Sequence, residues 1–356
     1  DINTAGGTIS LHGDGSLGYY LSGGSVTSPA LSNTTIDVTG KNVVIFNSDS
    51  VDISTENFTI NSAPSSSYIL GNIKNSVFDH KNGSTILDNN GILLNGKNSG
   101  ILLDNPVTVN STGTNVVAVA LDGVTTKYPI GLLKQIEGTN RGTITLGNQS
   151  AGFYAVNGAG VNNENIITVG DKSVALYVDS TGVSGIGKSY NSGVITIGEK
   201  SQGIYSSNGA VVENEASGKI TGIKNGATGI LSSNTDLGNT SVITNNGIID
   251  LSGDNSIGIY ATNNGKQNII NNNEIKVGIS SASNNPSIGI YSDGVNNSII
   301  NNAKINISDK SVGIYSKGGK IELNNGNINV GINATGVYTD NNSIVVVAPN
   351  AGISLS

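Results

Sequence analysis

Cysteine, methionine and tryptophan are all absent from this 356-residue sequence. Without cysteine there is no disulfide framework and no thiolate metal site. The absence is compatible with export, because a chain threaded unfolded across membranes gains nothing from bridges that close early. Positive charge is scarce too, with 18 Lys and Arg against 25 Asp and Glu. No basic stripe offers itself to nucleic acid. The longest apolar run lies near 116–121, far short of the roughly 20 residues a membrane helix needs. Nothing at the start reads as a signal peptide, and no methionine begins the chain, so the sequence reads as a processed or excised piece. Charged residues make up only 12% and aromatics 4%.

What is present is glycine at 49 positions and asparagine at 52, with an apolar fraction made chiefly of Ile, Val and Leu. Gly and Asn favour turns, and β-branched residues favour strands. The apolar residues are too many and too regularly placed for disorder. One phrase returns: "EKSQGIYSSNG" at 199–209, "DNSIGIYATNN" at 254–264, "NPSIGIYSDGV" at 285–295 and "DKSVGIYSKGG" at 309–319. Its tyrosine recurs as Tyr154, Tyr177, Tyr205, Tyr260, Tyr291, Tyr315 and Tyr338, with Leu231 in the same slot. Upstream, Tyr20, Phe46, Leu70 and Leu102 are expected there. Tyr20 to Tyr338 then spans twelve intervals, a mean of about 26 residues. Ahead of each phrase an asparagine stands four residues before an apolar-x-apolar triplet: Asn140, Asn163, Asn191, Asn245, Asn271, Asn301 and Asn324.

Units this small cannot bury a core singly, whereas stacked units share a continuous one. The expected fold is all-β: a right-handed parallel β-helix of about 13 coils, about 26 residues per coil and three short strands per coil. At about 4.8 Å per coil the rod would be roughly 60 Å long. A propeller, whose blades need roughly 40–50 residues, is the lesser alternative. One continuous solenoid is expected over 1–356, with degenerate coils over 50–135. Pro129 and Gly138 bound a short helix expected over 129–137.

Within "SVGIY", Val312 and Ile314 are expected to share the inward face. The glycines Gly18, Gly152, Gly203, Gly229, Gly258, Gly289, Gly313 and Gly336 would leave a groove for neighbouring Tyr or Leu to cover. The tyrosines would pack at a corner. The asparagines suit a turn with positive φ and could form an amide ladder.

Four patterns resemble chemistry. Residues 182–189, "GVSGIGKS", match a phosphate loop by letter, but a strand pattern follows where a helix is required. His12, Asp14 and Ser16 lie too close in sequence for a triad assembled by a fold; with His80 they give two unrelated surface histidines. Asp171, Glu199, Asp254 and Asp309 share one turn position, as a carbohydrate-cleaving cluster would, yet lysines flank them and the edge reads as solvated. The tyrosine slot could serve as a platform for a sugar or a protein. The variable loops 22–31, 179–189, 232–241 and 279–286 are the better display sites. No catalytic, cofactor or metal residue is assigned, and no cofactor is expected.

The "SxGIY" and "NxGxIxV" units, Asn- and Ile-rich and free of cysteine, resemble the passenger regions of type V autotransporters, in particular the fusobacterial outer-membrane adhesins related to RadD. The likeness is clearest from about residue 140 onward. It implies a non-enzymatic, extracellular segment on the bacterial surface, anchored by a C-terminal outer-membrane barrel that lies, with the signal peptide, outside this sequence. It also implies coaggregation and host-cell attachment, with partners among host surface proteins, galactose-type glycans, other bacteria or inhibitory immune receptors. The alternatives are a surface polysaccharide lyase or hydrolase, and a structural stalk presenting a distal tip.

Overall fold

The computed structural model describes residues 5–23, 30–63, 65–181, 187–280, 286–340 and 343–355. Every strand pair in it is parallel, and each strand pairs with its counterpart one coil away. The result is a β-solenoid of about 13 turns, with one apolar core running from Ile36 to Val330. No helix occurs among the described residues. Successive coils differ in length. Val117 pairs with Ala151, a step of 34, whereas Ala151 pairs with Val174, a step of 23.

Each later coil has three faces. The phrase Ser-x-Gly-Ile-Tyr opens the tyrosine face, a 13-stranded sheet that includes strands Gln202–Ser207, Ile257–Thr262 and Val312–Ser316. A second face carries strands such as Val211–Asn214 and Gln267–Asn271. A third carries the Ile-x-Val strands, such as Ile248–Leu251 and Ile305–Ile307. In the first coils the second and third faces are one bent strand, as in Ile53–Ser62 and Val77–Ile86. Those strands turn at Asn33, Asn57 and Asn82, each with φ near +50°, and their exposed amides are hydrogen-bonded in sequence. Three short strands per coil therefore describes the chain only after residue 86.

The core is built from rows. Ile204, Ile230, Ile259, Ile290 and Ile314 line the tyrosine face from inside, all at 0% exposure. Ile167, Ile195, Ile220, Ile249, Ile275, Ile305 and Ile328 oppose them from the third face, also fully buried. Burying each such side chain contributes about 1.5–3 kcal/mol relative to exposure.

The structure explains the recurring phrase differently from simple alternation. Gly313 and Ile314 are buried in succession, and Val312 is half-buried on the outside. The in–out alternation slips at the glycine. A Cβ built on Gly313 would stand 2.4 Å from the carbonyl oxygen of Gly336 and 2.5 Å from Ile328 Cγ2. The glycine's empty side faces the core, filled by an isoleucine from the third face, so it leaves no outer groove for Tyr or Leu to cover. The serine makes the corner. Ser173 Oγ accepts from the Ser150 N–H, and Ser201 Oγ from the Ser173 N–H, both at 3.0 Å. The residue before most of these serines holds a left-handed backbone, including Gln149, Lys172, Lys200, Asn255 and Lys310 with φ of 52–56°, whereas Pro286 precedes Ser287.

The asparagines form the ladder expected of them, but as the last residues of strands rather than in positive-φ turns. Each of Asn140, Asn163, Asn191, Asn214, Asn245 and Asn271 donates Nδ2–H to the Oδ1 of the next, ending at Asn301, with every bond 2.8 Å. All seven are fully buried, and none has positive φ. Asn214 belongs to the row although no apolar triplet advertises it. Asn324 does not belong, because Leu323 pairs with Asn301 and takes the slot. Asn324 instead extends an exposed amide row through Asn302, Asn272 and Asn246.

Three upstream marker positions are also corrected. Tyr20 pairs with Asn47, and the slot continues through Asn72, Asn95 and Ala120 to Tyr154. Phe46 sits one residue earlier, facing the core. Leu70 lies two residues before Asn72, and Leu102 belongs to the second face. All three are buried, so an inward apolar residue had mimicked an outward marker. A single-residue displacement in a strand reverses the face. The expected helix over 129–137 is absent as well. The 34-residue coil extrudes 123–137 as a loop in which Ile136 is buried but Ile130 and Leu133 are more than 90% exposed, so no continuous apolar face pins a helix.

His80 is the other correction. It is fully buried in strand Val77–Ile86, because alternation carries Phe78 and His80 inward together. Its Nδ1 lies 2.7 Å from Thr55 Oγ1, while Nε2 has no partner. Burial pushes the imidazole down to about 4. An unfolded histidine titrates near 6.5 and so takes up its proton first. Stability is then present above about pH 6.5 and falls as pH drops towards 4, by about 3 kcal/mol in total. Unfolding free energies from urea denaturation at pH 7 and pH 4 should diverge by about that amount more in the native chain than in the double variant Thr55→Val/His80→Leu. Equal divergence in both would show that other groups govern acid stability.

Candidate functional site

Among the described residues, the outer side of the tyrosine face is the one surface where aromatic rings recur in register. Tyr154 pairs with Tyr177, and Tyr177 with Tyr205; Leu231 interrupts, and Tyr260, Tyr291, Tyr315 and Tyr338 resume. The slip at the glycine makes this row possible, because it leaves the residue after each buried isoleucine pointing outward. The rings lie on a flat face rather than a corner, and they pack on one another. Tyr154 and Tyr177 stack with centroids 4.7 Å apart and planes within 10°. Tyr177 meets Tyr205 edge-on at 5.1 Å, and the upper four tyrosines continue edge-on at 4.7–5.2 Å. Tyr154 remains 42% exposed and Tyr338 49%.

A groove of about 460 Å³ runs beside the lower rings. Val117, Ala151 and Val174 form its floor, which Gln202 continues in register; Tyr154, Tyr177 and Tyr205 form one wall, and Asn115, Gln149 and Lys172 the other. Apolar floor, aromatic wall and neutral amides give it the character of a site for an amphipathic ligand. Farther along the row, Tyr315 Oη donates to Asp340 Oδ2 at 3.1 Å, and Lys317 pairs with Asp293 at 3.2 Å. The outer edge is there tied up in its own contacts.

The four chemistry-like patterns fare differently. Residues 182–186 of the phosphate-loop match lie outside the described residues, but Lys188 and Ser189 sit in strand Lys188–Asn191, with Ser189 fully buried. The helix that would meet a phosphate is replaced by sheet. His12, Asp14 and Ser16 take three separate partners. The His12 Nδ1 contacts Thr39 Oγ1, Asp14 Oδ1 accepts from the Lys41 N–H, and Ser16 Oγ donates to the Gly13 carbonyl.

The turn carboxylates occupy one corner as expected, and there Asp171 and Asp309 staple coils. Asp171 Oδ1 accepts from the Glu199 N–H, and Asp309 Oδ1 from the Ile332 N–H, both at 2.8 Å. Asn148 and Asn225 do the same for Asp171 and Asp254. The Lys224 ammonium and then the Glu199 N–H hold the Asp171 carboxyl below its usual range. Among the described residues no group of three or more His, Cys, Asp or Glu is placed to hold a metal ion.

Of the display loops, 22–31, 179–189 and 279–286 include 24–29, 182–186 and 281–285, which lie outside the described residues. Loop 232–241 is held by Asn234, buried and donating to the Asn239 and Lys266 carbonyls, and it leaves Leu237 81% exposed. The loop at 123–137 went unanticipated as a display element. Lys134 pairs with Glu215 and covers the Tyr190 ring at 4.7 Å, and Glu137 accepts from the Thr125 and Gly160 N–H groups. Its sequence signal was the long gap between markers. Comparison with protein families, with curated proteins and with solved structures returns no match for this chain.

Proposed function

We propose that this chain is a non-enzymatic segment of a bacterial cell-surface adhesin, attaching to host cells or to other bacteria through its tyrosine face and its extruded loops. The observation that carries the reading is the row of outward, mutually packed tyrosines beside an apolar-floored groove. A rigid stacked scaffold holds these rings in place at little entropic cost to a ligand. The repeat phrases resembling autotransporter passengers support display on the bacterial surface. Hydrolysis or lyase chemistry is disfavoured by the use to which the turn carboxylates are put, since Asp171 and Asp309 are spent on neighbouring backbone.

Beads coated with the purified chain should adhere to epithelial cells or to partner bacteria, and the triple variant Tyr154→Ala/Tyr177→Ala/Tyr205→Ala should lower adhesion at least fivefold. Adhesion no greater than that of bare beads would favour the stalk. Release of sugars from a polysaccharide panel would favour the enzyme.

A further inference from the structure

The tyrosine slot has a gap at one step. Asn47, Asn72 and Asn95 fill it in the early coils, and their amides form a chain: Asn95 Nδ2 donates to Asn72 Oδ1 at 3.0 Å, and Asn72 Nδ2 to Asn47 Oδ1 at 3.2 Å. The chain ends at Asn95, whose Oδ1 accepts no hydrogen bond among the described residues. The next slot holds Ala120, and the one after holds Tyr154. One face of the Tyr154 ring is covered by Tyr177. Its other face looks along the axis toward Ala120, which offers only a methyl group. Tyr154 is accordingly 42% exposed where Tyr291, inside the upper row, is 9% exposed.

Two coil spacings of about 4.8 Å separate the Asn95 and Tyr154 backbones, which leaves a notch one ring deep. Its roof is an aromatic face, its floor an open amide acceptor, and its back a methyl group. Beside Tyr154 it opens toward the groove, where Asn115, Gln149 and Gln202 add uncharged donors and acceptors.

We propose that this notch and the adjoining groove form a binding site for a neutral oligosaccharide, with one pyranose ring seated over Ala120. A pyranose has what the notch demands: a face of C–H groups to lie against the Tyr154 ring, and edge hydroxyls to donate to Asn95 Oδ1. A planar aromatic ligand would use the roof but leave the amide unpaired. An acidic sugar would find one cation in the groove, Lys172, and at the adjoining corner Asp171 and Glu199 offset Lys172 and Lys200, so no net positive charge recruits it. The remaining sugars of the chain would follow the groove along Val117, Ala151 and Val174 towards Gln202. The site gives a ligand class to the attachment reading above and rests on it only for its biological use.

The test is saturation-transfer NMR and calorimetry on the full chain, with methyl β-glucopyranoside, methyl α-mannopyranoside, oligomers of N-acetylglucosamine, and sialyllactose as the acidic comparison. At least one neutral oligomer should bind, more tightly than its monosaccharide and than sialyllactose. Ala120→Tyr is the decisive variant. It continues the tyrosine row through the notch, so it should fold as well as the native chain and lose at least tenfold in affinity. Tyr154→Ala and Asn95→Ala should also weaken binding, and Asn95→Gln should restore part of it. No binding of any neutral oligomer, or native affinity in Ala120→Tyr with its melting point unchanged, would overturn the proposal. If beads adhere to cells while no neutral sugar binds, the sugar site alone has failed. If the sugar binds and the beads do not adhere, the attachment reading has failed and the site stands.

Discussion

Gly258→Val is expected to destabilise the coils around it by about 3 kcal/mol or more. A Cβ at this position stands 2.5 Å from the Gly289 carbonyl oxygen and 2.5 Å from Ile275 Cγ2. The two obstacles differ in kind. Ile275 is a side chain and could be trimmed, but the carbonyl belongs to the ladder joining strands Ile257–Thr262 and Ile288–Ser292. Relief requires the coils to part. The slot is not intrinsically glycine, since Ala175 occupies it one coil above Gly152 and is fully buried. From Gly203 to Gly336, however, glycine follows glycine, and the opposing isoleucines close the space. Thermal melts and hydrogen exchange should show lost protection over 257–292 in Gly258→Val. Ile275→Ala added to it should recover only part of the loss. An unchanged melting point would mean that the core has slack that the contacts do not show.

The second large effect is expected at Asn214. Its Oδ1 accepts from Asn191, and its Nδ2 donates to Asn245, so Asn214→Ala strands one donor and one acceptor at 0% exposure. Each buried orphan costs about 1–3 kcal/mol, giving a total of about 2–6 kcal/mol. Asn214→Asp should be worse, since a carboxylate cannot donate to Asn245 and its charge is buried. Asn301→Leu should cost less. It sits at the end of the row, and the next occupant is already Leu323. Urea unfolding of the three variants should rank them Asp, Ala, then Leu at 301, from most to least damaging. A smaller cost at 214 than at 301 would show that the amides act independently rather than as one chain.

The sequence made the architecture legible because stacking imposes the same local problem on every coil, and Ser-x-Gly-Ile-Tyr is its repeated solution. The number of coils survived even where the marker was misplaced, since Phe46, Leu70 and Leu102 stand near the true slots Asn47, Asn72 and Asn95. What the letters could not show was which face each position occupied. The slip at Gly313 and Ile314 breaks period two without leaving a charge or proline to mark it. The same ambiguity hid His80, whose polar neighbours suggested surface, and hid Asn214, whose row is defined by geometry rather than by the following triplet. The notch at Ala120 was illegible for a related reason: it exists only because two different side-chain rows meet in one slot. The turn carboxylates, by contrast, were placed correctly as a set, and the stapling role of Asp171 and Asp309 follows from their reaching one coil onward.

The amide rows run in opposite senses. The buried row donates toward the C-terminal coils, from Asn140 to Asn301, whereas the exposed row donates back from Asn324 to Asn246, as do the early rows ending at Asn33 and Asn47. Over the coils where the two overlap, inner and outer dipoles therefore oppose one another across the wall. Parallel to the axis, little side-chain polarisation accumulates with length there, unlike the peptide dipoles of a long α-helix. Lengthening those coils would add surface without building a potential difference between the ends.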